Sequence, residues 1–327
     1  MKTSITLFAI LLVLPAVATA QLKIVTTTTD YADIARQIGR DKVDVHSVMK
    51  GPENVHNVLA KPTEMVKLNQ ADLFVHSGLD AEPWRTNLLR GARNSKVNDR
   101  QPGNVDMSRG IELKQAPAGR IDRSQGDVHA YGDPHYSLSP VNAQRMAATL
   151  VHAMADADPA NADFYRANAR RFVTDLGTVA DDIRRLMRPY AGLKVVTFHP
   201  AWAYLADAVP IEIVGTIEPK PSITPSPAQV REIVQTMRQH GVKIVICETY
   251  SDQRLARSIA EQAEAQLVIL PDHVLGLPEV DSYQKLFRHN ALKLIEAAEA
   301  AGIKPAATQP ARAPTSDAES PAAGPAK

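Results

Sequence analysis

The sequence predicts an α/β fold of two lobes, each a parallel sheet flanked by helices, joined by one long helix. Two observations carry this. Short apolar β-type runs alternate with runs of helical period, and the alternation starts afresh at Leu193. Strands separated by helices imply parallel sheets covered on both faces. Between the two series, Asp158-Pro159 opens a stretch to about Met187 without a further proline, in which Phe164, Ala167, Phe172, Leu176, Val179, Ile183 and Leu186 recur at helical spacing. At 1.5 Å per residue such a helix reaches roughly 40 Å.

In chain order, Lys2, the apolar run Ile5 to Val17 and Ala18-Thr19-Ala20 read as a secretory signal peptide, residues 1–20, with cleavage expected before Gln21. The run is too short for a membrane span, which needs about 20 residues. No cysteine lies near the cleavage site, so no direct membrane anchor is expected. The first lobe is expected over 21–157. Leu22 to Thr27 is its first strand, and Tyr31 to Ile38 a helix behind Asp30 as cap candidate. Val43 to Val48 alternates apolar and polar as a strand, Pro62 to Asn69 is helical, and Ala71 to Val75 is a third strand. The linking helix takes 158–189, and the second lobe 190–302. There Leu193 to Phe198, Ile211 to Val214, Val242 to Cys247 and Leu267 to Leu270 read as strands, with helices expected at Ala201 to Ala208, Pro227 to His240 and Arg254 to Ala263. The tail, 303–327, is rich in Ala, Pro and Ser and carries too little apolar bulk to order itself.

Composition narrows the function. The chain has 37 Lys and Arg against 36 Asp and Glu; losing Lys2 with the signal peptide leaves 36 against 36. A neutral chain carries no electrostatic footprint for nucleic acid or anionic membrane. The single cysteine, Cys247, cannot form an internal disulfide and is expected to pack as a small buried hydrophobe.

Three histidine segments stand out: Val55-His56-Asn57, Asp133-Pro134-His135-Tyr136 and Phe198-His199-Pro200-Ala201-Trp202. Each follows or neighbours a strand-like run, and ligands of parallel sheets bind beyond the carboxyl ends of the strands. Asp272 follows the last such run. Three imidazoles and a carboxylate make the four-coordinate shell zinc takes in closed sites. Histidines from both halves converge only if the lobes close on one point, which places a metal site in the cleft between them.

With those residues in view, the chain resembles the metal-specific solute-binding proteins of ABC transporters for zinc and manganese. The resemblance rests on the Pro52 to Pro62 loop with His56, the run Gly132 to Pro140 with His135, the run Phe198 to Tyr204 with His199, and Glu218-Pro219-Lys220-Pro221. It covers about 21 to 300. It implies His56, His135 and His199 as metal ligands with Asp272 near the fourth position, where Glu248 and His273 are rivals. It also implies a periplasmic location and delivery to an ABC permease of the inner membrane, with a metallochaperone as a further candidate partner and a monomer expected. No long His- and acid-rich loop follows His56; the chain passes directly to Lys61-Pro62-Thr63.

Other readings stay open. An exported metallochaperone or adhesin differs only in what takes the metal next. A zinc hydrolase would need an open coordination position and a general base, yet no His-Glu-x-x-His helix or serine nucleophile elbow occurs. Imidazoles suit zinc, and manganese binds nitrogen sites weakly, so Zn2+ is expected, with Mn2+ the alternative. His129 is expected to line the cleft at most. His46 and His76 read as packed and hydrogen-bonded, His152, His240 and His289 as helix residues, and Trp202 as packing under His199.

Overall fold

The structure, a computed structural model, describes residues 20–115, 129, 131–218, 220 and 222–306. The signal-peptide reading, except Ala20, the tail from 307 on, and Pro219 and Pro221 lie outside the described residues.

Each lobe holds one four-stranded sheet. In the first, β1 (Leu22–Thr26) pairs in parallel with β2 (Val43–Ser47) on one side and β3 (Leu73–His76) on the other, and β3 pairs with β4 (Asn104–Asp106). In the second, β5 (Leu193–Thr197) lies between β6 (Ile211–Thr216) and β7 (Ile244–Glu248), and β7 pairs with β8 (Gln266–Leu270). The orders are β2-β1-β3-β4 and β6-β5-β7-β8, so the lobes are wound alike. In each sheet the first strand leads to its neighbour on one side and the third strand to its neighbour on the other, which opens a crevice at the carboxyl ends between the first and third strands. The helices are α1 (Thr29–Gly39), α2 (Pro62–Asn69), α3 (Arg85–Ala92), α4 (Pro140–Ala157), α5 (Ala162–Met187), α6 (Leu205–Ala208), α7 (Pro227–His240), α8 (Gln253–Gln262) and α9 (Tyr283–Ala300).

Strand residues alternate between two apolar environments, as the period of two demands. Ile24, Leu73 and Val75 face inward, as do Val195, Ile244 and Ile246; all belong to one continuous cluster that runs through Phe172, Leu176, Val179 and Ile183 of α5. Val25 and Phe74 face an outer cluster under α3, and Val196, Val245 and Cys247 face another under α7 and α8. Cys247 is thus the buried hydrophobe expected. The lobes share an inner core, and truncating a central α5 residue such as Leu176 would cost about 2–5 kcal/mol.

Local signals set several boundaries. Helix α7 begins behind Ser226, which exchanges capping bonds with Gln229, has Pro227 in its first turn, and stops at Gly241 with φ of 66°. Among the described residues no helix is long and apolar enough to cross a membrane.

Three expectations need correction. Asp30 does not cap α1: the cap position is Thr28, and Asp30 lies inside the first turn with its carboxylate turned to the other lobe. The helix expected from Ala201 starts only at Leu205, because Trp202 is drawn inward by its indole bond to Glu248. The buried stripe of α5 is displaced by one residue at both ends. Phe164 and Leu186 are 37% and 42% exposed, and Tyr165 and Met187 are buried instead. Tyr165 is held inward by its hydroxyl, which donates to Asp158 at 2.6 Å. Ala167 is exposed and Ala169 takes the buried position.

Candidate metal centre

His56 sits in a short turn, Val55–Asn57, built on the loop after β2. Asn54 accepts from the His56 backbone N–H at 2.9 Å, and the Trp84 indole donates to the Val55 carbonyl at 2.7 Å. His135 opens the turn His135–Leu138, and Asp133 accepts from its backbone N–H at 2.9 Å. His199 follows β5 directly. Its loop is fixed from below by Glu248, the last residue of β7, which accepts from Trp202 at 2.5 Å and from the His199 N–H at 3.4 Å. All three histidines are buried.

Their ring nitrogens divide the work uniformly. His56 Nδ1–H donates to the Ala81 carbonyl at 2.8 Å, His135 Nδ1–H to Asp133 at 2.7 Å, and His199 Nδ1–H to Glu218 at 2.7 Å. Each partner accepts hydrogen bonds, so in the neutral ring the hydrogen is on Nδ1 and a lone pair is on Nε2. The three ligand atoms lie within 4.8 Å of one another. Among the described residues this is the one such group of three or more His, Cys, Asp or Glu side chains. His56 Nε2 and His135 Nε2 stand 3.3 Å apart, and His199 Nε2 is buried without a hydrogen-bond partner. Two lone pairs facing each other at that distance repel unless a cation lies between them. Two nitrogens at about 2.05 Å from one tetrahedral zinc stand about 3.3 Å apart. The donor set therefore fits the ion.

Charge is graded across the site. Burial, helped by the neighbouring imidazoles, holds His56 and His135 well below the ordinary histidine range. At His199 burial acts in the same sense but is outweighed by Glu218, Glu248 and Asp272, and its pKa stands above the ordinary value. Burial lifts both Asp133 and Glu248 to about 7.

Asp272 lies outside the group of three but close enough for its charge to act on His199. It is buried; Oδ2 accepts from the Tyr250 hydroxyl at 2.8 Å, and Oδ1 has no partner. Its rival Glu248 has both oxygens engaged, Oε2 by Ser251 at 2.8 Å, and supports the His199 loop. His273 turns Nδ1 to Asp30 at 2.7 Å. His129 reaches the site, its ring 4.8 Å from that of His56 and 6.3 Å from that of His135.

The remaining histidines are held elsewhere or lie outside. His46 bonds Glu64 at 2.5 Å and His76 bonds Asn104 at 2.8 Å, while His152 and His240 are exposed and His289 is half-buried. The backing groups Ala81, Asp133 and Glu218 were not read as such from sequence. Asp133, two residues before His135, carried the available signal, since an Asp at that spacing bonds the backbone two residues on.

A two-lobe α/β fold whose cleft presents three backed imidazoles defines a metal-binding protein of the solute-binding class. Comparison with known proteins agrees. Residues 24–297 match the family described as zinc-uptake complex component A, periplasmic. The metal ABC transporter substrate-binding lipoprotein FimA of Streptococcus parasanguinis is 26% identical over 294 residues, 85% of this chain and 90% of its own. The manganese ABC transporter substrate-binding lipoprotein PsaA of Streptococcus pneumoniae is 25% identical over 289 residues, covering 84% and 88%. The crystal structure of a zinc-bound ZnuA deletion mutant superimposes with a TM-score of 0.71 over 88% of this chain and all of its own, at 24% identity, and shows the shared fold. The chain belongs to the zinc-uptake complex component A family. It is a metal-binding substrate-binding protein of the ABC-transporter type, not an enzyme.

Proposed function

We propose that the mature protein captures one zinc ion through Nε2 of His56, His135 and His199 and Oδ1 of Asp272, and delivers it to an ABC permease of the inner membrane. It does so as a periplasmic monomer after residues 1–20 are cleaved. Lobes 21–157 and 190–302 enclose the ion, helix 158–189 joins them, and 303–327 is a tail. A metallochaperone is a candidate donor. The observation that carries the reading is the convergence of three Nε2 atoms whose Nδ1 partners are all fixed by acceptors.

Zinc is favoured because three of the four donors are imidazoles and manganese binds such sites weakly. Manganese is the second reading, supported by the manganese-named PsaA and by the carboxylates on the His199 side. Elemental analysis of protein purified from the periplasm without added metal separates them. One zinc per chain is expected; manganese at that ratio, with zinc absent, would reverse the assignment.

A further inference from the structure

Asp30 is fully buried in the first turn of α1, in the first lobe, yet both of its carboxylate oxygens bond the second lobe. Oδ2 accepts from His273 Nδ1 at 2.7 Å, and Oδ1 accepts from the backbone N–H of Val274 at 2.8 Å. Beside it, the Thr29 hydroxyl donates to the Val274 carbonyl at 2.5 Å. The same turn meets the first lobe a third time. Gly51, in the loop that leads to His56, passes so close that a Cβ there would lie 1.9 Å from the Leu275 carbonyl oxygen. A carboxylate withdrawn from water is costly unless donors meet its charge, and here every donor comes from one short stretch of the other lobe.

That stretch begins one residue after Asp272. On its other side Pro271 is tied within the second lobe, its carbonyl accepting from Asn290 of α9 at 2.9 Å. Asp272 is thus suspended between an anchor in its own lobe and an anchor in the other. Its Oδ2 is occupied by Tyr250, while Oδ1 is buried and unpartnered. The direction of that free oxygen depends on where residues 273 and 274 are held, and Asp30 holds them.

We propose that Asp30 is a positioning residue for the metal: it locks the 272–274 turn against the first lobe and so aims Asp272 Oδ1 at the cleft. This rests on Asp272 as the fourth ligand. Asp30 carries no ligand atom to the ion; it couples the ligand geometry of the second lobe to the helix that follows β1 of the first.

The test is a double-mutant cycle on the full chain, with zinc affinity read by competition against a chromophoric chelator. Asp30→Asn keeps the volume but cannot accept from both donors, and should weaken zinc by about 10–100-fold, the range for a group that orients a metal ligand. In the Asp272→Asn background the same change should cost nothing further, because the group through which it acts is gone. The visible spectrum of the Co2+ form of Asp30→Asn should move toward that of Asp272→Asn. Thr29→Val removes only the hydroxyl bond and covers the case in which Asp30→Asn does not fold; it should weaken zinc several-fold, again only when Asp272 is present. Wild-type affinity in Asp30→Asn, or in Thr29→Val where Asp30→Asn does not fold, or equal losses in the two backgrounds, overturns the proposal and leaves the fourth-ligand reading standing. Wild-type affinity in Asp272→Asn removes both.

Discussion

The two lobes bring unlike things to the cleft. The first offers His56, backed by a neutral carbonyl, and His135, backed by Asp133; burial among other imidazoles keeps both rings neutral at ordinary pH. The second offers His199 amid Glu218, Glu248 and Asp272, which together outweigh its burial and raise its proton affinity. One side therefore supplies ready lone pairs and the other supplies negative charge. A doubly charged cation is served by both, and the full set of three imidazoles exists only where the lobes meet. The division makes the site depend on the lobes being held together, which is what a shared core and α5 provide.

The largest expected effect is loss of a ligand. Replacing His56, His135 or His199 by Ala should each weaken zinc by at least about a hundredfold, beyond what loss of an orienting group costs, whereas His240→Ala on the exposed end of α7 should not change it. Wild-type titrations for two of the three cleft variants would sink the three-imidazole shell.

Acid should come next, and it should strike the second lobe first. Metal and proton compete for the same Nε2. Because His199 has the raised pKa and His56 and His135 the lowered ones, a proton takes His199 while the first-lobe rings are still free. Zinc affinity should fall steeply between pH 7 and 5, and His199 should be the first imidazole to protonate in metal-free protein followed by NMR. Flat affinity over that range, or His56 titrating first, would contradict the comparison.

The backing groups should matter less than the ligands and more on the charged side. Glu218→Gln removes the charge but keeps an acceptor for Nδ1. It should cost about tenfold in zinc affinity and up to about a hundredfold if the ring also turns. It should also lower the His199 pKa. Asp133→Asn should cost less, because burial already lifts that carboxyl to about 7 and leaves its charge partly quenched at neutral pH. Equal losses for both, with no change at His199, would show that charge does not distinguish the lobes.

Stability of the metal-free protein should fall on both sides of neutrality, for different residues. His56 and His135 have folded pKa values below the unfolded value of about 6.5, so acid protonates the unfolded chain preferentially and destabilises the fold below that pH. His273 is the reverse. Burial lowers it, but Asp272 and Asp30 outweigh burial and raise it to about 9. Its contribution is complete below about pH 6.5 and is lost as pH rises through about 9. Thermal melts from pH 7 to 10 should therefore decline in the wild type more than in His273→Asn; parallel declines would refute the charged His273.

What the sequence disclosed and what it concealed separate along physical lines. Alternating strands and helices, the Pro-led starts of α2 and α7, and the three histidines were legible because each depends on local pattern or residue type. Strand β4, three residues long, is too short to show a period, and α3, α4 and α9 carry no expectation from sequence although Ser139 and Ser282 cap the latter two. Phe172, Leu176, Val179 and Ile183 of α5 are buried as their spacing predicts, but at its ends Phe164 and Leu186 are as apolar as their neighbours, and only contact with α1, α4 and α9 decides which turn inward. Asp30 reads as a helix cap in the sequence because its partners are 243 and 244 residues away. Glu218 stands in the Glu218-Pro219-Lys220-Pro221 segment, but its bond to His199 is a tertiary fact.

The smallest effect expected is in overall shape. Two lobes that each hold half a site could close by a wide hinge. Here the inner core is continuous from β1 through α5 to β5, the Asp30 turn fastens one seam, and Tyr283 donates to the Ser137 carbonyl across the same interface. Lys114 pairs with Asp207 at 2.6 Å across the other seam. The site itself asks for little. The His56 and His135 nitrogens already stand 3.3 Å apart, and all three ligand atoms lie within 4.8 Å, so His199 need approach by at most about 1.5 Å to complete a zinc-sized shell. Small-angle scattering profiles with and without zinc should superimpose, while binding still raises the melting temperature by mass action, about 4 kcal/mol at a thousandfold excess over Kd. A clear contraction on adding zinc would mean that the lobes stand apart in solution, and that the division of nitrogen and charge between them is a closing mechanism rather than a fixed frame.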